Sequence, residues 1–280
     1  MDISLLKTFL EVSRRRHFGK AAEHLFLPQS AVSARIKLLE ATLGVELFSR
    51  KRNDIQLTPA GQRLLRHART IVDGWDQARQ SIALDESYSH NLAVGALGDI
   101  WSMQLLDWAS RLRLAQPQLA MQLESYSADT LQQRLTSGLL DIAFVFDPPQ
   151  SPEYVIKEIA TLELMLIATR EGLSVEEALQ QNFIMVDWGT SFALKFAHQL
   201  SHAPLSALRV NQGRLAVDLL TQQSGSAYLP TEMVSNQLHS GQLHKVAGAP
   251  VMERIVYAAY RPDAQCEELV RQALAVPWHP

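Results

Sequence analysis

Phe18-Gly19-Lys20-Ala21-Ala22-Glu23-His24-Leu25-Phe26-Leu27-Pro28-Gln29-Ser30-Ala31-Val32-Ser33-Ala34-Arg35-Ile36-Lys37-Leu38-Leu39-Glu40-Ala41-Thr42-Leu43, residues 18–43, is the stretch on which the reading of this chain turns. It reads as two helices joined by a tight turn. In the second helix Val32, Ile36, Leu39 and Leu43 recur at intervals of four, three and four, on one side of a 3.6-residue helix, and that side is expected to be core. Gln29, Ser30, Ser33, Arg35 and Lys37 lie mostly off the stripe. They supply the short hydrogen-bonding and cationic groups that read base edges and phosphates in a major groove.

The rest of the chain frames that helix pair. With 280 residues, 47% of them hydrophobic, it is too long for one ordinary domain and suits two or three. The net charge of −3 hides an asymmetry: residues 1–84 carry 14 Lys and Arg against 8 Asp and Glu, a balance of +6, which leaves 12 against 21, or −9, for residues 85–280. The basic surface is thus confined to the stretch with the proposed reading helix, and the acidic remainder should be repelled by DNA. Cys266 is the single cysteine, so neither an intrachain disulfide nor a Cys-based zinc site can form, which fits a reducing compartment. The chain start lacks the basic and apolar regions of a signal segment and no run approaches the ~18 apolar residues of a membrane span, so a soluble cytoplasmic protein without membrane contact is expected.

Residues 3–13 carry Leu5, Leu6, Phe9, Leu10 and Val12 in an amphipathic helical pattern. Arg14-Arg15-Arg16-His17 follows, either a solvated loop or a phosphate contact. Beyond the reading helix, Gly44 signals a helix stop. Residues 47–57 then read as a short hairpin, a wing, with Asn53-Asp54 at its tip and Arg50, Lys51 and Arg52 entering it; Arg50 and Arg52 are placed to approach the DNA backbone or minor groove. Thr58 is the expected N-cap of the next helix, with Pro59 in its first turn. Leu64, Ala68, Ile71, Trp75, Ala78 and Ile82 form a heptad seam, which over roughly 30 residues makes a rod of about 45 Å. A lone helix would leave that seam in water, so a dimer is implied, and Gly74 inside it marks a candidate bend.

Leu6-x-x-Phe9, Phe18-x-x-Ala21-Ala22-x-x-Leu25, Gln29-Ser30-Ala31-Val32-Ser33, Ile36-x-x-Leu39-Glu40, Leu43-Gly44-x-x-Leu47-Phe48-x-Arg50 and Leu57-Thr58-x-Ala60-Gly61 follow one another in order. This series resembles the LysR-type transcriptional regulators, and the chain start and Asp187-Trp188-Gly189 look most like the branch named for repressing the flagellar master operon. The resemblance implies a multidomain α plus α/β protein. Residues 1–58 would be a winged helix-turn-helix, 59–88 a linker helix and hinge, and 91–280 a two-lobed, periplasmic-binding-protein-like effector domain, with lobe I about 91–160 plus 261–280 and lobe II about 161–260. It further implies double-stranded promoter DNA as partner, a dimer through the linker helix and a tetramer through effector domains on an interrupted inverted repeat, a small-molecule effector, and RNA polymerase as a further partner. One departure stands out: Pro28 occupies a position where the family commonly has a capping Thr or Ser, so Gln29 follows a rigid but uncapped helix start.

Residues 85–90 are polar and read as a hinge. Strands then alternate with helices: 92–95, 119–125 and the nearly all-apolar 139–146 as strands, 99–115 and 128–137 as helices. Such an apolar run fits a parallel strand buried on both faces of an α/β domain. After Asp147-Pro148-Pro149-Gln150-Ser151-Pro152 come a long strand at 154–169, a second α/β group with strands at 183–186, 208–210 and 225–230 and helices near 191–201 and 214–223, then a strand at 255–260 and a helix at 263–275. Ser137-Gly138-Leu139-Leu140-Asp141-Ile142-Ala143 and Gly225-Ser226-Ala227-Tyr228-Leu229-Pro230 match the effector-domain pattern of the same family.

Ligands of open α/β sheets bind beyond the carboxyl ends of the strands. That rule selects Gly98, Asp99, Trp101 and Ser102 after the first strand, Ser127 after the second, Asp147 after the third, and Trp188, Thr190 and Ser191 in the second lobe. Asp99 would repel a carboxylate, which favours a cationic or neutral effector or none, and the plainer alternative has Asp99 capping its own helix while Trp101 and Trp188 fill the cleft. Among rivals, His198 and His202 sit at metal-ligand spacing on one expected helix face, but Gln199 replaces a zincin Glu and no third ligand is near. No GxSxG, GxGxxG or P-loop is present, so no enzyme, metal or cofactor is expected. A secreted solute-binding protein would share the C-terminal pattern but not the basic front end, and a purely architectural DNA-binding protein would share the front end without an effector.

Overall fold

The computed structural model describes residues 2–51, 54–84, 88–262 and 267–278, with the side chains of 50, 51 and 54 left aside. The chain divides into two compact units, Met1–Glu86 and Ser87–Pro280.

In the N-terminal unit, α1 spans Ile3–Arg15, α2 Phe18–His24 and α3 Gln29–Leu43. Asp2 caps α1 by accepting from the Ser4 amide at 2.8 Å, and His17 caps α2 by accepting from Lys20 at 3.2 Å through Nδ1. The basic run 14–17 is therefore the end of one helix and the cap of the next rather than a loop. Leu5, Leu6, Phe9, Val12, Ala21, Ala22, Val32, Ile36 and Leu39 share one core. Leu43, expected in that core, is 42% exposed, because the stripe runs on to the Gly44 cap beyond the buried turns of α3. Gly44 takes φ +69°, the left-handed cap conformation that glycine adopts without a Cβ penalty.

The wing follows as β1, Phe48–Lys51, antiparallel to β2, Asp54–Leu57, with Lys51 opposite Asp54. Asp54 thus begins the second strand instead of standing at the tip, and the other expected tip residue, Asn53, lies outside the described residues, as does Arg52. Helix α4 runs Pro59–Ile82, with the Thr58 hydroxyl accepting from the Gly61 amide at 3.0 Å. Its 24 residues make about 36 Å, shorter than the expected rod. Gly61 is needed here: a Cβ would lie 2.3 Å from the Leu47 carbonyl oxygen, so only glycine lets α4 approach the wing entry.

In the C-terminal unit β3 spans His90–Ala96. The helix after it passes through α5, Gly98–Ile100, a π-helical turn at Trp101–Leu105 and α6, Leu106–Ala115. Then come β4 Leu119–Ser125, α7 Ala128–Thr136, β5 Ile142–Val145, β6 Val155–Ala168, α8 Val175–Gln180, β7 Phe183–Val186, α9 Thr190–Gln199, β8 Leu208–Val210, α10 Gly213–Gln222 and β9 Ser226–Pro230. A 3-10 turn at Thr231–Val234, α11 Ser235–His239, β10 His244–Lys245, β11 Met252–Tyr260 and α12 Glu267–Ala275 complete it. One nine-stranded sheet has the order β4-β3-β5-β11-β6-β9-β7-β8, with β10 on β6. β5 is buried throughout, yet only its β3 edge is parallel; β11 runs antiparallel on the other.

β6 and β11 cross the sheet together and join two lobes. Their ladder is interrupted where Val256 faces Ala160 and Tyr257 faces Glu158, so Ile159 is an extra residue that bends the pair. Tyr257, Ala258 and Ala259 then pair with β5, placing the end of β11 in lobe I and moving the lobe boundary inside the strand from the expected 260/261. Trp108 of α6 stacks on Trp278 at 5.3 Å and donates to the Ala273 carbonyl at 3.0 Å, which fixes the C-terminal helix on lobe I. Among the described residues no helix is long and apolar enough to cross a membrane.

Candidate nucleic-acid interface and effector cleft

Helix α3 buries Val32, Ile36 and Leu39 against α1 and α2 and turns the opposite face to water. Gln29, Ser30, Ala34, Lys37 and Leu38 are exposed on it, and Ser33 is half-buried. Leu38, 57% exposed, is an apolar member of this surface that the polar reading passed over. Arg35 departs from expectation. It is half-buried on the α1 side, and its Nη1 donates to the buried Thr8 hydroxyl at 3.4 Å, so it braces α3 rather than standing among the outward groups.

Pro28 is the N-cap of α3 and makes no side-chain capping bond, because its ring carries no acceptor oxygen. Its carbonyl accepts from Ala31 and Val32 at 3.0 and 3.2 Å, which leaves the amides of Gln29 and Ser30 uncapped at the positive end of a 15-residue helix.

The wing is tied to α3 by a residue whose role the motif alone did not disclose. Glu40 accepts from the amides of Leu47 and Phe48 at 2.8 and 3.3 Å. This carboxylate sets where β1 starts relative to α3. Arg50 sits on β1 opposite Ile55.

The seam of α4 divides into two adjacent stripes. Ala68 and Val72 are buried and α1 packs on α4, where Lys7 and Asp76 pair at 2.9 Å. Ile71, Trp75 and Ile82 remain 43%, 49% and 84% exposed, an apolar face with no cover within the N-terminal unit.

In the C-terminal unit the predicted effector residues fall into three groups. Trp188 is fully buried, donates from Nε1 to the Tyr228 carbonyl at 2.8 Å and meets Phe146 edge-on at 5.8 Å; Trp101 is 9% exposed and donates to the Glu124 carbonyl at 2.8 Å. Both are core and neither offers a free polar group to a ligand. Ser127 and Ser102 are engaged locally, Ser127 with the Thr130 hydroxyl at 3.0 Å and Ser102 with the Asp99 carbonyl at 3.0 Å.

The third group meets across the lobes. Asp99, 5% exposed, does not cap its own helix; its carboxylate accepts from the Gly213 and Arg214 amides at the start of α10, at 2.7 and 3.3 Å. Burial raises its pKa, against the lowering effect of those two amides. Gly98 lies beside it, where a Cβ would stand 3.0 Å from the side-chain Nε2 of Gln212. Asp147 accepts from the Thr190 amide at the start of α9 at 2.7 Å and from Arg254 Nη2 at 2.9 Å. Arg254 is 3% exposed, its Nε has no hydrogen-bond partner among the described residues, and its guanidinium lies 5.3 Å from the Phe146 ring centre. Arg254 was missed, although a cation at the inward parity of an otherwise apolar strand is a signal. Ser191 joins Phe146, Gln150, Arg254 and Tyr257 around a cavity of about 540 Å³ bordering this pair. The two histidines separate: α9 ends at Gln199, so His198 is on it and His202 lies beyond, off any shared helical face.

Two family descriptions match the chain: "Bacterial regulatory helix-turn-helix protein, lysR family" over residues 3–62 and "LysR substrate binding domain" over residues 85–276. The HTH-type transcriptional regulator HdfR of Yersinia enterocolitica is 34% identical over 287 residues, covering 99% of this chain and 96% of the relative. HdfR of Salmonella schwarzengrund is 35% identical over 273 residues, 96% of each. Among solved structures, CbnR, a LysR family transcriptional regulator, has a TM-score of 0.77 at 21% identity over the whole of both chains; CbnR complexed with its target DNA has 0.74 at 22%, covering 98% of this chain and 100% of the other. The order of motifs, the wing, the long helix and the two-lobed sheet are the parts of one known architecture, and the chain belongs to the LysR family of bacterial helix-turn-helix regulators.

Proposed function

We propose that the chain is a sequence-specific transcription regulator that lays α3 in the major groove of duplex DNA, with Gln29, Ser30, Ser33 and Lys37 reading bases and nearby phosphates, and Arg50 and Arg52 of the wing holding the adjacent backbone. The observation that carries this reading is the two-faced α3: a fully buried stripe behind it, an exposed polar face in front, and uncapped first-turn amides suited to a phosphate oxygen. Arg35 is assigned to bracing rather than reading. The exposed stripe of α4 supports pairing with a second copy, and the C-terminal unit supports further assembly to a tetramer on an interrupted inverted repeat. The cleft between the lobes is the place for effector control, and RNA polymerase is the partner through which promoter occupancy acts. Residence beside the chromosome, in the cytoplasm, follows from the same reading. The curated relatives are named transcriptional regulators, which supports it over the enzyme reading.

The test begins with selection of a preferred site from random duplexes. Gln29→Ala and Ser33→Ala are then expected to lose about 1–3 kcal/mol of discrimination on that site while random DNA binds as before. Arg50→Ala or Arg52→Ala is expected to weaken both and to flatten the salt slope by about one. Equal losses on preferred and random DNA for Gln29→Ala would overturn the base-reading role.

A further inference from the structure

A helix N-terminus pointing into a cleft attracts an anion because its first amides have no intrahelical acceptor. Two helices of lobe II, α9 and α10, begin at the cleft, each ten residues long. In this chain each already has a carboxylate from lobe I. Asp147, just past β5, accepts from the first amide of α9, and Asp99, just past β3, accepts from the first two amides of α10.

Neither contact is a local cap. The partners lie 43 residues apart in one case and 114 and 115 in the other, and each joins one lobe to the other. Close packing supports both. Gly189 has φ +89°, and a Cβ on it would stand 2.2 Å from Asp147 Oδ2 and 2.8 Å from Arg254 Nη2, so glycine is required for the carboxylate to reach the Thr190 amide. A Cβ on Gly213 would stand 2.6 Å from the Trp188 ring, so glycine is required at the start of α10 as well. Arg254 supplies a buried cation that Asp147 neutralises.

We propose that Asp99 and Asp147 are built-in ligands of the cleft: they fill the two anion positions at the starts of α9 and α10, hold the lobes together without an external effector, and bar carboxylate effectors from those positions. The inference rests on reading the C-terminal unit as the regulatory half. Its readout is the melting and amide exchange of that unit, not DNA binding, so the two ideas fail separately. The bordering cavity gives small anions a route to the Asp147 position once that side chain is shortened.

The experiment uses the full chain, the parent beside Asp147→Ala, with thermal unfolding and amide exchange over residues 187–193 followed in sodium acetate, sodium formate or sodium chloride at matched ionic strength. Asp147→Ala is expected to melt several degrees lower and to exchange faster at Thr190, because Arg254 and the α9 amide lose their shared acceptor. Acetate or formate at about 0.1 M is expected to return at least half of the loss by mass action, with no equivalent gain in chloride and none for the parent. Should Asp147→Ala not fold, Asp147→Gly at reduced temperature carries the same comparison, and the parent's indifference to carboxylates stands as its own measurement. A parent that itself gains from acetate or formate overturns the proposal. So does a variant that loses nothing, or one that no carboxylate restores.

Discussion

Replacing Glu40 with alanine removes the one acceptor that serves the Leu47 and Phe48 amides, at 2.8 and 3.3 Å. The side chains of both residues are buried, at 1% and 3% exposure, so the wing cannot slide to find another partner without opening the core. A hydrogen bond to a charged acceptor contributes about 1.5–3 kcal/mol net. The shorter bond earns the full range and the longer one little, while solvent screens a carboxylate that is itself half-exposed, so the loss is on the order of 2 kcal/mol. In a unit of this size each 1 kcal/mol moves the melting temperature by about 4–8 °C, which makes the expected drop roughly 10 °C. Differential scanning calorimetry of the full chain should show that drop in the N-terminal transition, with the C-terminal one unmoved. Fluorescence anisotropy should show weaker DNA binding as well, because the lost bonds set the position of the wing relative to α3. Glu40→Gln keeps an acceptor oxygen in the same place and should recover most of both properties. An alanine variant that melts within about 2 °C of the parent, or a glutamine variant as damaged as the alanine one, would refute the reasoning.

The exposed stripe of α4 makes Trp75→Glu a direct probe of assembly: sedimentation is expected to show loss of the dimer, since a carboxylate would be buried without a partner in the paired seam, and an unchanged dimer would remove α4 from the interface. Asp99 gives a pH prediction. Burial holds its carboxyl above the ordinary value of 3.8, so the native state keeps a proton over a range in which the unfolded chain has released it. Its contribution is therefore fullest below 3.8 and declines as pH rises through the folded value. The stability advantage of the parent over Asp99→Asn should shrink as pH rises above 3.8, and an advantage that grows instead would contradict the assignment.

Periodicity carried the reading of α3 and α4 as far as periodicity can. Val32, Ile36 and Leu39 are buried as their spacing demands, whereas Leu43 continues the same spacing into solvent, because a sequence stripe does not say where its cover stops. In α4 the pattern marked an apolar band but not its division: Ala68 and Val72 turn to α1, and Ile71 and Trp75, on the neighbouring side, are left for another surface. Arg35 and Lys37 look alike in a one-dimensional list, yet two residues of helix rotate one toward Thr8 and the other outward.

The cleft shows a different limit. The strand-end rule pointed to Asp99 and Asp147, but their partners are backbone amides, which carry no residue type for a sequence to display. The repulsion expected between Asp99 and a carboxylate supposes a site whose helix starts have no other acceptor. Across the closed lobes Asp99 presents the same acceptor to the same kind of amides that such a ligand would use. A loop that receives a ligand and a loop that supplies one have the same address at the end of a strand. What separates them is whether a carboxylate on one lobe lies within hydrogen-bond distance of a helix start on the other, as Asp147 does at 2.7 Å from Thr190.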